Sequence, residues 1–289
     1  MPNLDLVPKE ELSSFRKIAL GTWKTVGDPS VYGTIEICMD DAMRYIQEFR
    51  NVTGRRVTVS HLMAKAAAKV LEACPDANAI LRFNRIYLRK TVGVFFQVLM
   101  NDEGEDQVDL SGATLYDVQH RSLVEICDEF EKKIALVRTR EDPALEKTRS
   151  TFKSLPFFLL RPLLNAISFL CYTMNWDMRW AGIPKDPFGS IMITNVGSLG
   201  LDVAYVPLVP YSRVPMLLAV GAVKEKPIAR DGAVVIAKML SINATFDHRL
   251  IDGFHAATMS RVLREWLEHP YEHFDKLEGW KEAETTTTT

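Results

Sequence analysis

Two short segments hold the residue types suited to chemistry, ITNVGSLGLD at 193–202 and FDHRLIDGFHAA at 246–257. Each opens as an apolar strand and runs into glycine. In the second, His248 follows a β-rich run and precedes Asp252-Gly253, after which helical spacing begins. The imidazole thus sits at a strand-to-helix junction, where the backbone holds a side chain firmly and leaves one edge open to a ligand. That placement makes His248 a candidate acid–base group. The spacing also fits a plainer arrangement, with Asp252 capping a helix that starts near Phe254 and His248 an ordinary rim histidine.

The elements that must position these residues are legible from periodicity. Within 58–74, Val59, Leu62, Met63, Ala66, Ala67, Val70, Leu71 and Cys74 recur at three-and-four spacing, which predicts a helix with one buried face, stopped by Pro75. A second helix follows from Leu123, Ile126, Cys127, Phe130, Ile134 and Val137, and a third from Met259, Val262, Leu263, Trp266 and Leu267. Strand-like runs lie at 31–37, 86–100, 190–196, 216–223 and 233–246, and Asp231-Gly232 is a hairpin signal between the last two. The late strands read as antiparallel. The order predicts an α/β chain of the α+β two-layer sandwich kind, a mixed sheet with helices packed on one face. Residues 1–280 read as a single domain carrying an irregular, apolar insertion at about 139–189, and 281–289 as a disordered tail.

Bulk properties narrow the function. The chain has 289 residues, with 35 Lys plus Arg against 37 Asp plus Glu and a net charge of −2. No summed positive field exists to draw in a polyanion, so nucleic acid is not an expected partner. Cys38, Cys74, Cys127 and Cys171 lie far apart without a CxxC pair, which fits a reduced compartment and neither disulfides nor a metal. The first residues, MPNLDLVPKEEL, resemble neither a secretory signal nor a transit peptide, so a cytoplasmic location is expected.

FDHRLIDG resembles the DHRxxDG signature of the 2-oxoacid dehydrogenase acyltransferase family, and DGFHAA is similar to a signature of the chloramphenicol acetyltransferases, which share its fold. SSFRKIAL, TVSHLMAKAAAKVLEACPDANA and ITNVGSLGLD resemble further family motifs in the same order, so the resemblance covers roughly residues 12–270 except 139–189. It implies a chloramphenicol acetyltransferase-like fold, a homotrimer with active sites between subunits, and larger cages built from trimers. It also implies acyl transfer from a coenzyme A thioester to a thiol or hydroxyl, with His248 as general base acting without a covalent enzyme intermediate. Thr194 stands where the family has a serine that stabilises the oxyanion. Asp252 is implied to hold the loop through an ion pair, with Arg16 as the candidate partner. Asn195, Gly197 and Gly253 are implied turn or close-approach positions, and His255 a helix-surface or trimer-contact residue.

The sequence also departs from the family. The lipoyl domain, linker and subunit-binding domain of the family are not seen, so a dihydrolipoamide acceptor is expected to arrive on another protein. QVLMNDEGEDQVDLSGA replaces the family's substrate-channel strand, and Asp247 replaces one histidine of the chloramphenicol signature. A trimeric or cage scaffold without turnover is the alternative these departures suggest. The apolar stretch 155–174, interrupted by Pro156, Arg161, Pro162 and Asn165, suggests membrane contact, with a helix starting cleanly only after Pro162. If Phe157, Phe158, Leu163, Leu164, Ile167, Phe169 and Leu170 instead cover the channel, a longer acyl chain gains about 0.8 kcal/mol per buried methylene.

Overall fold

The computed structural model describes residues 2–9, 29–101, 108–139 and 156–277. Arg16 and the tail at 281–289 lie outside the described residues.

The chain builds strands β1 (Leu6–Pro8), β2 (Ser30–Cys38), β3 (Ala79–Arg82), β4 (Arg85–Arg89), β5 (Val94–Asn101), β6 (Val108–Leu115), β7 (Ile191–Asn195), β8 (Met216–Arg230) and β9 (Ala233–Asp247). Its helices are α1 (Asp40–Thr53), α2 (Val59–Ala73), α3 (Leu123–Arg138), α4 (Phe157–Ser168), α5 (Gly253–Glu268) and α6 (Pro270–His273). Six strands form one mixed sheet in the order β2-β9-β8-β7-β5-β6. Strands from before and after 139–189 therefore share a sheet, β5 pairing directly with β7.

The helices cover one face of this sheet. Ile193, Leu218, Val220, Ile242 and Phe246 point into a core shared with α1, α2, α3 and α5. Ala64, Ala66, Ala67 and Ala68 on α2 are completely buried, and such small side chains let neighbouring elements approach the helix closely. On the opposite face, Met192, Leu217 and Ala219 pack under an extended segment that contributes Ala204, Val206 and Leu208.

Several expectations are corrected. The run at 86–100 is two strands in two sheets, because β4 joins β1 and β3 in a separate three-stranded sheet. The break falls at Gly93, where a Cβ would lie 2.8 Å from Gly189 Cα; the backbones touch, and the Ser190 N–H donates to the Gly93 carbonyl at 2.7 Å. The late strands are not all antiparallel: β8 and β9 are, with Asp231 and Gly232 both at positive φ in the turn, but β7 runs parallel to β5 and β8. Helix α4 begins at Phe157 and keeps Pro162 inside it, since a proline forfeits one hydrogen bond while the turns on either side stay intact.

Candidate active site

β9 ends at Asp247, and the chain turns through His248 to Ile251 before Asp252 opens α5. Main-chain hydrogen bonds pin this loop. The Asp247 N–H donates to the Pro215 carbonyl at 2.8 Å, the His248 N–H to the Pro29 carbonyl at 2.9 Å, and the Leu250 and Ile251 N–H groups to the Asp247 carbonyl at 3.0 and 2.9 Å. Leu250 and Ile251 are buried in the main core. Arg249 folds back on Asp247, its Nε 2.9 and 3.1 Å from the two carboxylate oxygens, which accounts for the acidic residue before the histidine.

The half-buried His248 has Nδ1 2.7 Å from the Ile251 carbonyl oxygen. A carbonyl only accepts, so in the neutral ring Nδ1 carries the proton and Nε2 presents its lone pair. The loop therefore selects the tautomer that a base working through Nε2 requires.

Asp252 is the N-cap of α5: its carboxylate accepts the His255 N–H at 3.1 Å. The plainer reading of Asp252 as a cap is thus correct, and the cap has a further partner. His255 Nδ1 lies 2.6 Å from Asp252 Oδ1, and its Nε2 lies 3.4 Å from Asp76 Oδ2 in the turn after α2. Asp76 also pairs with Lys9, and the His255 hydrogen bond, followed by Lys9, holds its carboxyl down at about 2. His255 is therefore not a surface residue: it ties the start of α5 to the end of α2, one residue beyond the Ile251 carbonyl that orients His248. Sequence reasoning missed this role because Asp76 is far away in the chain.

Thr194 and Asn195 end β7 as expected. The Asn195 carboxamide oxygen accepts the Ser198 N–H at 3.1 Å and caps the following turn. A Cβ on Gly197 would lie 2.4 Å from the Gly221 carbonyl oxygen, so this is a true close approach. Gly253 is different. Its φ is not left-handed, and a Cβ there meets no described atom within 4 Å.

One chain does not bring Thr194 and His248 together. Thr194 is in register with Ala219 on β8, and Ala219 with Asn243 on β9. His248 follows Asn243 by five residues along β9 and lies two strands over from β7. At about 3.3 Å per residue and 4.8 Å per strand, the two positions are roughly 15–20 Å apart. No local pattern in the sequence encodes that separation.

Comparison with known proteins places this geometry. The fold is that of dihydrolipoamide acetyltransferase catalytic cores: the chain overlays a probable enzyme of that kind from Listeria monocytogenes with a TM-score of 0.63 at 15% identity, covering 94% of this chain and 98% of that one. It also overlays the cubic core of a pyruvate dehydrogenase multienzyme complex with a TM-score of 0.64 at 19% identity, covering 91% and 93%. In sequence, residues 188–274 match the model of the family 2-oxoacid dehydrogenases acyltransferase (catalytic domain). Among curated relatives, the lipoamide acyltransferase component of the branched-chain alpha-keto acid dehydrogenase complex of Pseudomonas putida is 35% identical over 81 residues, 28% of this chain and 19% of that protein. The dihydrolipoyllysine-residue acetyltransferase component of the Bacillus subtilis pyruvate dehydrogenase complex is 37% identical over 81 residues, 28% of this chain and 18% of that protein. The matched stretch spans about a fifth of these relatives' length.

Proposed function

We propose that this chain is an acyltransferase that moves an acyl group from a coenzyme A thioester to a thiol or hydroxyl acceptor, in sites shared between neighbouring copies of a homotrimer. The observation that carries the reading is the orientation of His248, whose Nδ1 is committed to the Ile251 carbonyl at 2.7 Å so that Nε2 is the basic nitrogen. The separation of Thr194 from His248 within one chain supports the shared site: in a closed ring, each site takes His248 from one copy and Thr194 from the next.

In this mechanism Nε2 takes the proton of the acceptor S–H or O–H as its sulfur or oxygen attacks the thioester carbonyl. The carbonyl becomes a tetrahedral oxyanion, and the Thr194 hydroxyl donates to it. Collapse breaks the carbon–sulfur bond to coenzyme A, and the leaving thiolate recovers the proton from the His248 imidazolium. Asp252 and His255 touch no reacting atom and keep the Ile251 carbonyl in place. A dihydrolipoyl group on another protein is the first acceptor to test, because the curated relatives are named for lipoyl substrates. Assembly of trimers into a larger cage is a further reading, suggested by the cubic core with the same fold. A cytoplasmic location suits the proposed substrate.

The test follows release of free coenzyme A thiol from a panel of acyl-CoA thioesters with dihydrolipoamide and simple alcohols, for wild type and His248→Ala. Turnover that is lost in the variant, with an unchanged melting temperature, supports the base. Turnover that survives the substitution refutes it.

A further inference from the structure

Helix α4 and the chain after it leave an apolar surface uncovered. Leu159, Pro162, Ala166 and Phe169 are all exposed and follow one another at spacings of three, four and three, so they form one stripe along the helix. Leu159 is 44% and Phe169 46% accessible, and the chain continues to Trp176 at 53% and Trp180 at 82%. The opposite side of the same segment is anchored. Ile167, Cys171 and Tyr172 pack with Leu4 and Ile80, and Arg213 Nε donates to Ser168 Oγ at 3.0 Å. The exposure therefore belongs to a docked helix whose outer face carries this apolar stripe with Arg161 and Asn165 exposed along its edge, a pattern found where the outer face meets lipid or protein.

Charge decides between the two. Within 156–187 the cations are Arg161, Arg179 and Lys185, all exposed, and the acids are Asp177 and Asp186. Both of these acids are engaged: Asp177 holds Arg179 through contacts of 2.9 and 2.7 Å, and Asp186 holds Arg89 at 2.5 Å. Trp side chains beside an apolar stripe with surplus positive charge match the boundary of an anionic bilayer, where aromatic rings sit at headgroup level and cations meet lipid phosphates. At 12 residues α4 is about 18 Å long, less than a hydrocarbon core, and among the described residues no helix is long and apolar enough to cross a membrane.

We propose that α4 and the Trp176–Trp180 segment form a monotopic docking face that lies flat on an anionic lipid surface. The docking face is independent of the acyl-transfer reading. It is also tied to the proposed site, because Arg213, which holds Ser168, lies two residues before Pro215, whose carbonyl accepts the Asp247 N–H at 2.8 Å.

The experiment is flotation of the full chain with phosphatidylcholine vesicles, with and without phosphatidylglycerol, together with the tryptophan emission wavelength. Wild type is expected to float with the anionic vesicles, shift its emission to the blue, and dissociate in high salt. Trp180→Ser combined with Phe169→Ser is expected to weaken binding about tenfold or more. The single exposed change Trp180→Ser serves if the double variant melts early. Failure of wild type to float with anionic vesicles overturns the proposal, as does flotation of both variants at the wild-type level. If the variants instead change the oligomeric state in sedimentation without any vesicle binding, the face is a subunit interface and the proposal is likewise wrong.

Discussion

Replacing Gly197 by alanine tests how the end of β7 is held. The added methyl would lie 2.4 Å from the Gly221 carbonyl oxygen, 2.5 Å from Gly221 C and 2.5 Å from Ala222 N, all main-chain atoms. Ordinary contact needs nearly 1 Å more, and the neighbour is itself wedged: a Cβ on Gly221 would lie 2.3 Å from the Asp202 carbonyl oxygen. β8 also breaks register with β9 at this point, between Val220 and Val223. Three backbones thus stack with no flexible side chain to give way. The cost should reach the upper end of overpacking, about 3 kcal/mol, and lower the melting temperature by roughly 5–10 °C. Two control glycines separate steric from conformational effects. Gly200 has φ +79° and open space around it, so Gly200→Ala should cost about 1 kcal/mol from backbone strain alone. Gly253→Ala, at the first position of α5 with no contact and no positive φ, should be neutral or stabilising by about 0.5 kcal/mol. Thermal unfolding followed by circular dichroism orders the three. A Gly197→Ala melt within a degree or two of wild type, or a Gly253→Ala loss as large as that of Gly197→Ala, would refute this packing.

Other outcomes follow from the same geometry. Thr194→Val should lower kcat roughly 100- to 1000-fold by removing the oxyanion donor, while Thr194→Ser keeps the hydroxyl and most of the rate; steady-state kinetics decide. His255→Leu should lower kcat by about 10- to 100-fold with little change in the KM for the thioester, since it loosens the Ile251 carbonyl rather than the substrate. His255→Asn, which keeps an N–H for Asp252, should recover much of that loss, whereas a purely packing role predicts the reverse order. Burial, and then the nearby Arg50, depress His61 to about 4 from its ordinary 6.5. The unfolded chain takes up this proton below 6.5 and the folded chain only near 4, so stability is full above pH 6.5 and falls by about 3 kcal/mol as the pH drops to 4. Denaturant titrations should show this slope in wild type, and a flatter one in His61→Gln.

The helices were readable because each packs one face: α2, α3 and α5 show their apolar residues at three-and-four spacing. α1 carries the same signal in Ala42, Tyr45, Ile46 and Phe49, with Gly54 at its left-handed end. The small sheet of β1, β4 and β3 was hidden because its boundary is a contact between Gly93 and Gly189, partners far apart in sequence that no local window can join. At the site, Thr194, His248 and Asp252 were picked out by their segments, and Asn195 and Gly197 act at β7 as expected. The separation of Thr194 from His248 and the bridging role of His255 depend on strand register and on Asp76, which are properties of the folded sheet and helix layer.

Subunit complementation addresses the shared site most directly. Chains carrying His248→Ala and Thr194→Val, each inactive alone, are co-expressed with different tags, and the mixed assemblies are assayed for acyl transfer. If each site draws His248 from one copy and Thr194 from its neighbour, random equal mixing leaves about a quarter of the sites intact, and activity should return to about that fraction of wild type. Mixed assemblies that form normally and stay as inactive as the single variants would contradict a site built between copies.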